Sequence, residues 1–212
     1  SCALVGLEGA IIEVEVDISP GLPSFTIVGL PDAAVQEARE RVRAAARHSG
    51  CTFLNKRIVV NLAPASLKKV GPAYDLPIAI GILLSSEQIQ ADVSKTVIIG
   101  ELSLDGSVRH TNGVLPMAAL AQEKGFNRLI VPQIDAKEAS LIKGLDVIPV
   151  VSLAQLVGYL REEIPPPELD IDSVPEYIPR ESNTELSYIK GQEHVKRALE
   201  VAAAGGHNLV MV

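Results

Sequence analysis

The chain has 212 residues, enough for one well-buried domain and a second small one. It is 47% hydrophobic and 21% charged but only 3% aromatic, the balance of a globular protein whose core is packed with Val, Ile, Leu and Ala. A formal net charge of -7 excludes a surface that binds nucleic acid everywhere, so any such binding has to be local. Cys2 and Cys51 are too few for a disulfide framework and have no CxxC or Cys/His companion that would suggest zinc; reduced thiols are the expectation. No run of about 18 uncharged apolar residues and no basic, then apolar leader is present, which points to a cytoplasmic, non-membrane protein.

In chain order, residues 11–18 (IIEVEVDI) alternate apolar and acidic side chains with period two, and residues 25–28 form a short apolar run between Pro23 and Gly29; both predict strands. After Pro31, with Asp32 as N-cap, Val35, Ala38, Val42, Ala45 and Ala46 recur at helical spacing up to Ser49, and Gly50 stops the helix. Residues 57–62 (RIVVNL) predict a buried strand, and Gly71-Pro72 opens a helix to about Leu84, with Asp75 near its positive end. Three strands are expected at 96–100, 102–104 and 107–110, the last two joined by a two-residue Asp105-Gly106 turn. Helix 114–124, strand 128–131, helix 135–142, strand 146–150 and helix 153–160 continue an alternating α/β pattern without internal repeats.

Residues 162–185 change character: Pro165 to Pro167 in a row, Pro175, Pro179, and eight acids against one base read as a semi-rigid, solvated linker. Beyond it, 191–204 (GQEHVKRALEVAAA) predicts a helix ended by Gly205-Gly206, and 208–212 (NLVMV) a strand. The expected organisation is a domain at 1–161, the linker at 162–185, and the opening of a second domain at 186–212.

These last motifs, Gly191-Gln192, KRALE at 196–200 and AAAGGHNL at 202–209, resemble the ComM/YifB (Mg-chelatase-like) family of AAA+ ATPases. The resemblance extends through FTIVGLPD at 25–32, RERVRAAAR at 39–47, VNLAPA at 60–65, GPAYDLPIAIG at 71–81 and GELSLDG at 100–106. It implies an α/β, two-layer α+β fold like the Lon protease catalytic domain for 1–161, followed by the first helix and strand of an AAA+ domain. In that family a P-loop follows; GxxxxGK[ST], whose backbone and lysine hold phosphates and whose hydroxyl holds magnesium, does not occur here. The chain itself is therefore expected to bind no cofactor, while the resemblance implies ATP and Mg for the intact protein, a hexameric ring, and a DNA helicase promoting branch migration in recombination and natural transformation. An ATPase that remodels a protein complex for metal insertion is the alternative carried by the chelatase resemblance.

Lon cleaves with a serine activated by a lysine. By resemblance those positions fall on Ala73 and Leu115, whose methyl and isobutyl groups can neither attack a carbonyl nor accept a proton. Ser66 with Lys68 or Lys69 keeps a residual Ser-Lys peptidase as a third reading. His48, His110, His194 and His207 lack metal-ligand spacing, and Tyr74, Asp75, Glu101 and Asp105 read as helix-start and turn residues rather than acid/base groups. The sharpest local signal is charge: between positions 39 and 69 stand eight bases, Arg39, Arg41, Arg43, Arg47, Lys56, Arg57, Lys68 and Lys69, and one acid, Glu40. Arg39, Arg43 and Arg47 are spaced by four and share a helix stripe. With Lys56, Arg57, Lys68 and Lys69 they are the candidate contacts to a DNA backbone, read without base recognition because Phe53 is the only aromatic among them. A solvated stripe facing a neighbouring subunit is the other reading.

Overall fold

The computed structural model describes residues 1–5, 8–168 and 186–211. They fall into two units, within Ser1–Ile171 and Asp172–Val212.

In the first unit β1 (Cys2–Val5) and β2 (Glu8–Ile11) form an antiparallel hairpin, and β3 (Glu13–Ser19) pairs antiparallel with β5 (Arg57–Ala63). β4 (Ser24–Val28) runs parallel to the other side of β5, giving the order β3-β5-β4. The strand expected at 11–18 is thus divided: Ile12, wholly buried, is the pivot between the hairpin and the three-stranded sheet. The hairpin itself carries no alternation that the sequence could announce.

α1 (Ala33–His48) starts where Asp32 Oδ1 accepts the Val35 N–H at 2.8 Å, and it buries Val35, Ala38, Val42, Ala45 and Ala46. It lies antiparallel to β4. Gln36 Nε2 donates to the Ile27 carbonyl (3.3 Å) and Arg39 to the Phe25 carbonyl (3.5 Å), so helix side chains cover part of an exposed sheet edge. The crossing from β4 to α1 requires Gly29: its φ is +98°, and a Cβ there would stand 2.2 Å from the Leu62 carbonyl oxygen.

A single 3₁₀ turn, Pro72–Tyr74, leads into α2 (Asp75–Ser85), which is apolar nearly all round and correspondingly buried. β6 (Thr96–Ile98), β9 (Arg128–Pro132) and β10 (Asp146–Val150) form a parallel sheet in the order β10-β9-β6. It is apolar on both faces, as parallel sheets are. Val97, Leu129 and Val131 pack with α3 (Val114–Glu123) and α4 (Gln133–Ala139), whereas Ile98, Ile130 and Ile148 join the core shared by α1, α2 and α5 (Leu153–Leu160). β7 (Glu101–Leu102) and β8 (Val108–Arg109) are shorter than expected. Their connection is not a two-residue Asp105-Gly106 turn: the Ser103 carbonyl accepts the Gly106 N–H at 3.0 Å, which centres the turn on Leu104 and Asp105. Gly106 follows at φ +87°, a position that suits glycine.

The expected linker begins later than 162, because the Glu163 N–H donates to the Gly158 carbonyl at 2.9 Å and Ile164 packs over Gly158. Positions 169–185, most of that linker, lie outside the described residues. The second unit holds a 3₁₀ turn, Leu186–Tyr188, and α6 (Glu193–Gly205), closed by Gly206 at φ +62°. Residues 208–211 are not a strand, in contrast to the expectation; a strand exists by pairing, and among the described residues nothing pairs with them. No helix among the described residues is long and apolar enough to cross a membrane.

Candidate nucleic-acid interface

The sequence-predicted bases converge on one end of β4. Ser24 is the partner of Arg57 in the ladder, and its N–H donates to the Lys56 carbonyl at 3.3 Å. The next residue, Phe25, gives its carbonyl to Arg39 and its ring to Phe53, with centroids 5.7 Å apart. The Arg43 guanidinium in turn lies over Phe53, 5.3 Å from the ring centroid. The two rings thus hold Arg43, the Phe25 carbonyl holds Arg39, and Lys56 and Arg57 are placed near them only through the backbone of the β5–β4 ladder. Arg47 lies two turns along α1 from Arg39, about 12 Å on.

Arg39, Arg47, Lys56 and Arg57 are exposed, and among the described residues none of them, nor Arg43, forms an ion pair. Arg39 is partly engaged, its Nε donating to the Gln36 carbonyl at 3.0 Å, and Arg43 is half-buried on its ring. Arg39 and Arg43 are consequently held in place, while Arg47 is exposed and its side chain forms no hydrogen bond or ion pair among the described residues.

Two predicted members do not belong. Lys69 is 0% exposed; its Nζ donates to the Pro64 carbonyl, its N–H bonds to Leu30 and its carbonyl accepts from Asp32. Burial among apolar neighbours pulls its ammonium below the ordinary lysine value. It is a structural residue and cannot meet a phosphate. Lys68 is exposed, but its neighbour Lys69 bridges to Pro31, which places it at the far end of β4 from Arg57.

Sequence reasoning also missed what holds α1 in place. Asp75, 0% exposed, accepts from Arg41 Nε (2.5 Å), Arg41 Nη2 (3.0 Å) and the Leu102 N–H (3.2 Å). Burial pushes the Asp75 carboxyl up, against the pull of Arg41, and the same hydrogen bond raises the guanidinium. This bidentate pair ties α1 to the start of α2 and to β7. Arg41 thus leaves the basic surface. The two residues are 34 apart and no local pattern links them.

The positions aligned with the Lon dyad are separated in environment. Ala73 lines a cavity of about 390 Å³ with Cys2, Gly71, Glu101, His110 and Thr111. Leu115 is not among its lining residues, and its N–H donates to Glu138 Oε1 at 3.2 Å. In the cavity His110 is held by Asp135 through Nδ1 and by Asn112 through Nε2 (3.2 Å), and hydrogen bonding to Asp135 raises its pKa. Burial raises the Cys2 thiol to about 11, so it is no ready nucleophile. Ser66 is exposed in a turn and Lys68 is exposed beside it, while the Lys69 ammonium donates to the Pro64 carbonyl, and no hydrogen bond joins Ser66 to either lysine among the described residues. No cluster of His, Cys, Asp or Glu able to hold a metal is found among the described residues.

A mixed α/β domain with several small sheets, a cavity without a paired nucleophile and a local basic surface is thus the class defined by fold and site. The family model described as subunit ChlI of Mg-chelatase matches residues 14–135, and a second, magnesium chelatase subunit ChlI, matches residues 185–212. The chain belongs to this ChlI/Mg-chelatase family. Competence protein ComM of Haemophilus influenzae is 40% identical over 215 residues, which cover 100% of this chain and 42% of ComM. Protein YifB of Escherichia coli is 40% identical over 211 residues, 99% of this chain and 41% of YifB. Lon protease of Mycolicibacterium smegmatis is 27% identical over 173 residues, 76% of this chain and 22% of that enzyme. The chain therefore spans about two fifths of the length of the ComM and YifB relatives.

Proposed function

We propose that residues 1–161 are a Lon-like accessory domain without peptidase activity, and that it contacts DNA through phosphates. The intact protein would be an AAA+ motor of ComM/YifB type, ATP- and Mg-dependent and hexameric, acting as a DNA helicase in branch migration during recombination and transformation. The nucleotide site would lie outside these residues, since nothing here fits a P-loop. The observation that carries the DNA reading is the group of exposed Arg39, Lys56 and Arg57, which form no ion pair among the described residues, in a chain of net charge -7. Exposed bases grouped at one place in an acidic protein make a local positive potential that suits an anionic partner. Such contacts position a backbone and read no sequence.

Lysine footprinting tests this. The chain is acetylated with and without duplex DNA at low salt and mapped by mass spectrometry. Lys56 is expected to be protected while Lys95, Lys124 and Lys143, on other surfaces, react equally in both. Equal acetylation of Lys56 with DNA bound removes the start of β5, which Lys56 precedes, from the interface.

A further inference from the structure

The loop from β3 to β4, residues 20–23, reads Pro-Gly-Leu-Pro. Leu22 is 89% exposed, the most exposed large apolar side chain of the first unit's described residues. Its place is informative. Ser19 and Ser24, which flank the loop, both pair with Arg57, and Gly21 faces the Arg57 side chain. The loop thus lies beside Arg57 and ends two residues before Phe25, whose carbonyl accepts from Arg39. Pro20 and Pro23 restrict the loop, so the side chain is presented with little chain entropy to lose on contact.

A leucine held in water beside bases that form no ion pair among the described residues serves neither packing nor solubility. The other large exposed apolar residues of the first unit are placed elsewhere: Val28, Leu30 and Val70 at the opposite end of β4, Leu104 in the β7–β8 turn by the end of α1, Ile134, Leu141 and Val151 on or after α4 and β10, and Ile164 after α5. A single apolar side chain is too small to anchor a lipid surface. It matches the space between two stacked bases, and the cations around it match the phosphates on either side of that step.

Building on the DNA reading above, we propose that Leu22 is a wedge that enters an unstacked base step, at a fork or kink, while Arg39, Lys56 and Arg57 hold the flanking phosphates. The contact separates bases without reading them. It involves no covalent step.

The test uses the 212-residue chain with a forked duplex carrying 2-aminopurine at the first base pair, followed by fluorescence, with anisotropy for binding. Wild type is expected to raise the fluorescence on saturation. Leu22→Ala should bind within about tenfold of wild type with an unchanged salt slope, yet lose the fluorescence rise. Lys56→Glu/Arg57→Glu should lose binding. If Leu22→Ala binds and raises fluorescence as wild type does, the wedge is overturned and the DNA reading stands. Wild type that binds no DNA at low salt overturns both. Binding to phosphatidylserine vesicles that Leu22→Ala abolishes, without any 2-aminopurine response, assigns the loop to a lipid surface and overturns the wedge.

Discussion

Arg41→Met is the most informative single perturbation of the fold around the site. It removes two of the three hydrogen bonds to Asp75 and its cationic partner, leaving a fully buried carboxylate with the Leu102 N–H alone. Hydrogen bonds to a charged group are each worth about 1.5–3 kcal/mol, and losing one member of a buried pair destabilises by about 3–5 kcal/mol. For a domain of this size that lowers Tm by roughly 6–20 °C. Methionine keeps the aliphatic stem, so lost packing is a small part of the effect. Without Arg41 the Asp75 pKa in the folded chain rises further above 3.8. A carboxyl raised in the folded state stabilises it below the unfolded value and withdraws that support as pH rises, so the deficit should be smaller at pH 5 than at pH 7. Chemical denaturation followed by circular dichroism measures both. Arg41→Met/Asp75→Leu, which removes both charges, should be closer to wild type than Arg41→Met alone. A loss under about 1 kcal/mol in Arg41→Met, or equal losses at the two pH values, would refute the assignment of an ionised, buried pair.

His110 supplies a second pH test. Its pKa is raised by Asp135, so the pair stabilises the fold fully below 6.5 and loses that contribution as pH rises through the higher folded value. Wild type should lose stability relative to His110→Gln between pH 6 and 8, measured by denaturant midpoints; parallel profiles would show the pair idle. Lys69→Met addresses the residue removed from the interface. DNA affinity should be unchanged and stability within about 1 kcal/mol of wild type, because a buried ammonium is exchanged for an apolar stem. A clear drop in affinity would return Lys69 to the contact surface.

Regular elements with strong periodicity were legible in the sequence. α1, with its Asp32 cap, its five buried positions and its end at Gly50, follows from spacing alone, as do β5 and α5. Legibility failed where pairing decides structure. The β1–β2 hairpin has no alternation, the β7–β8 turn is set by a Ser103 carbonyl rather than by the Asp-Gly dipeptide, and residues 208–211 have apolar composition but no described neighbour to pair with. Charge counting found the basic region but could not sort it. Lys69 and Arg41 look like their neighbours in sequence, yet one is buried against Pro64 and the other is bound to a carboxylate 34 positions away. Leu22 was invisible for the opposite reason: an apolar residue between prolines announces a turn, not its exposure.

If exposed bases on α1 and at the start of β5 hold DNA phosphates, the slope of log Kobs against log salt shows it most directly. Contacts from Arg39, Arg47, Lys56 and Arg57 predict a slope of about -3 to -4 on duplex DNA, at about 0.9 per phosphate. Reversing all four to Glu should abolish binding at about 50 mM salt without changing the circular dichroism spectrum. Binding that survives the reversal with its slope intact would place the DNA surface elsewhere and contradict the claim.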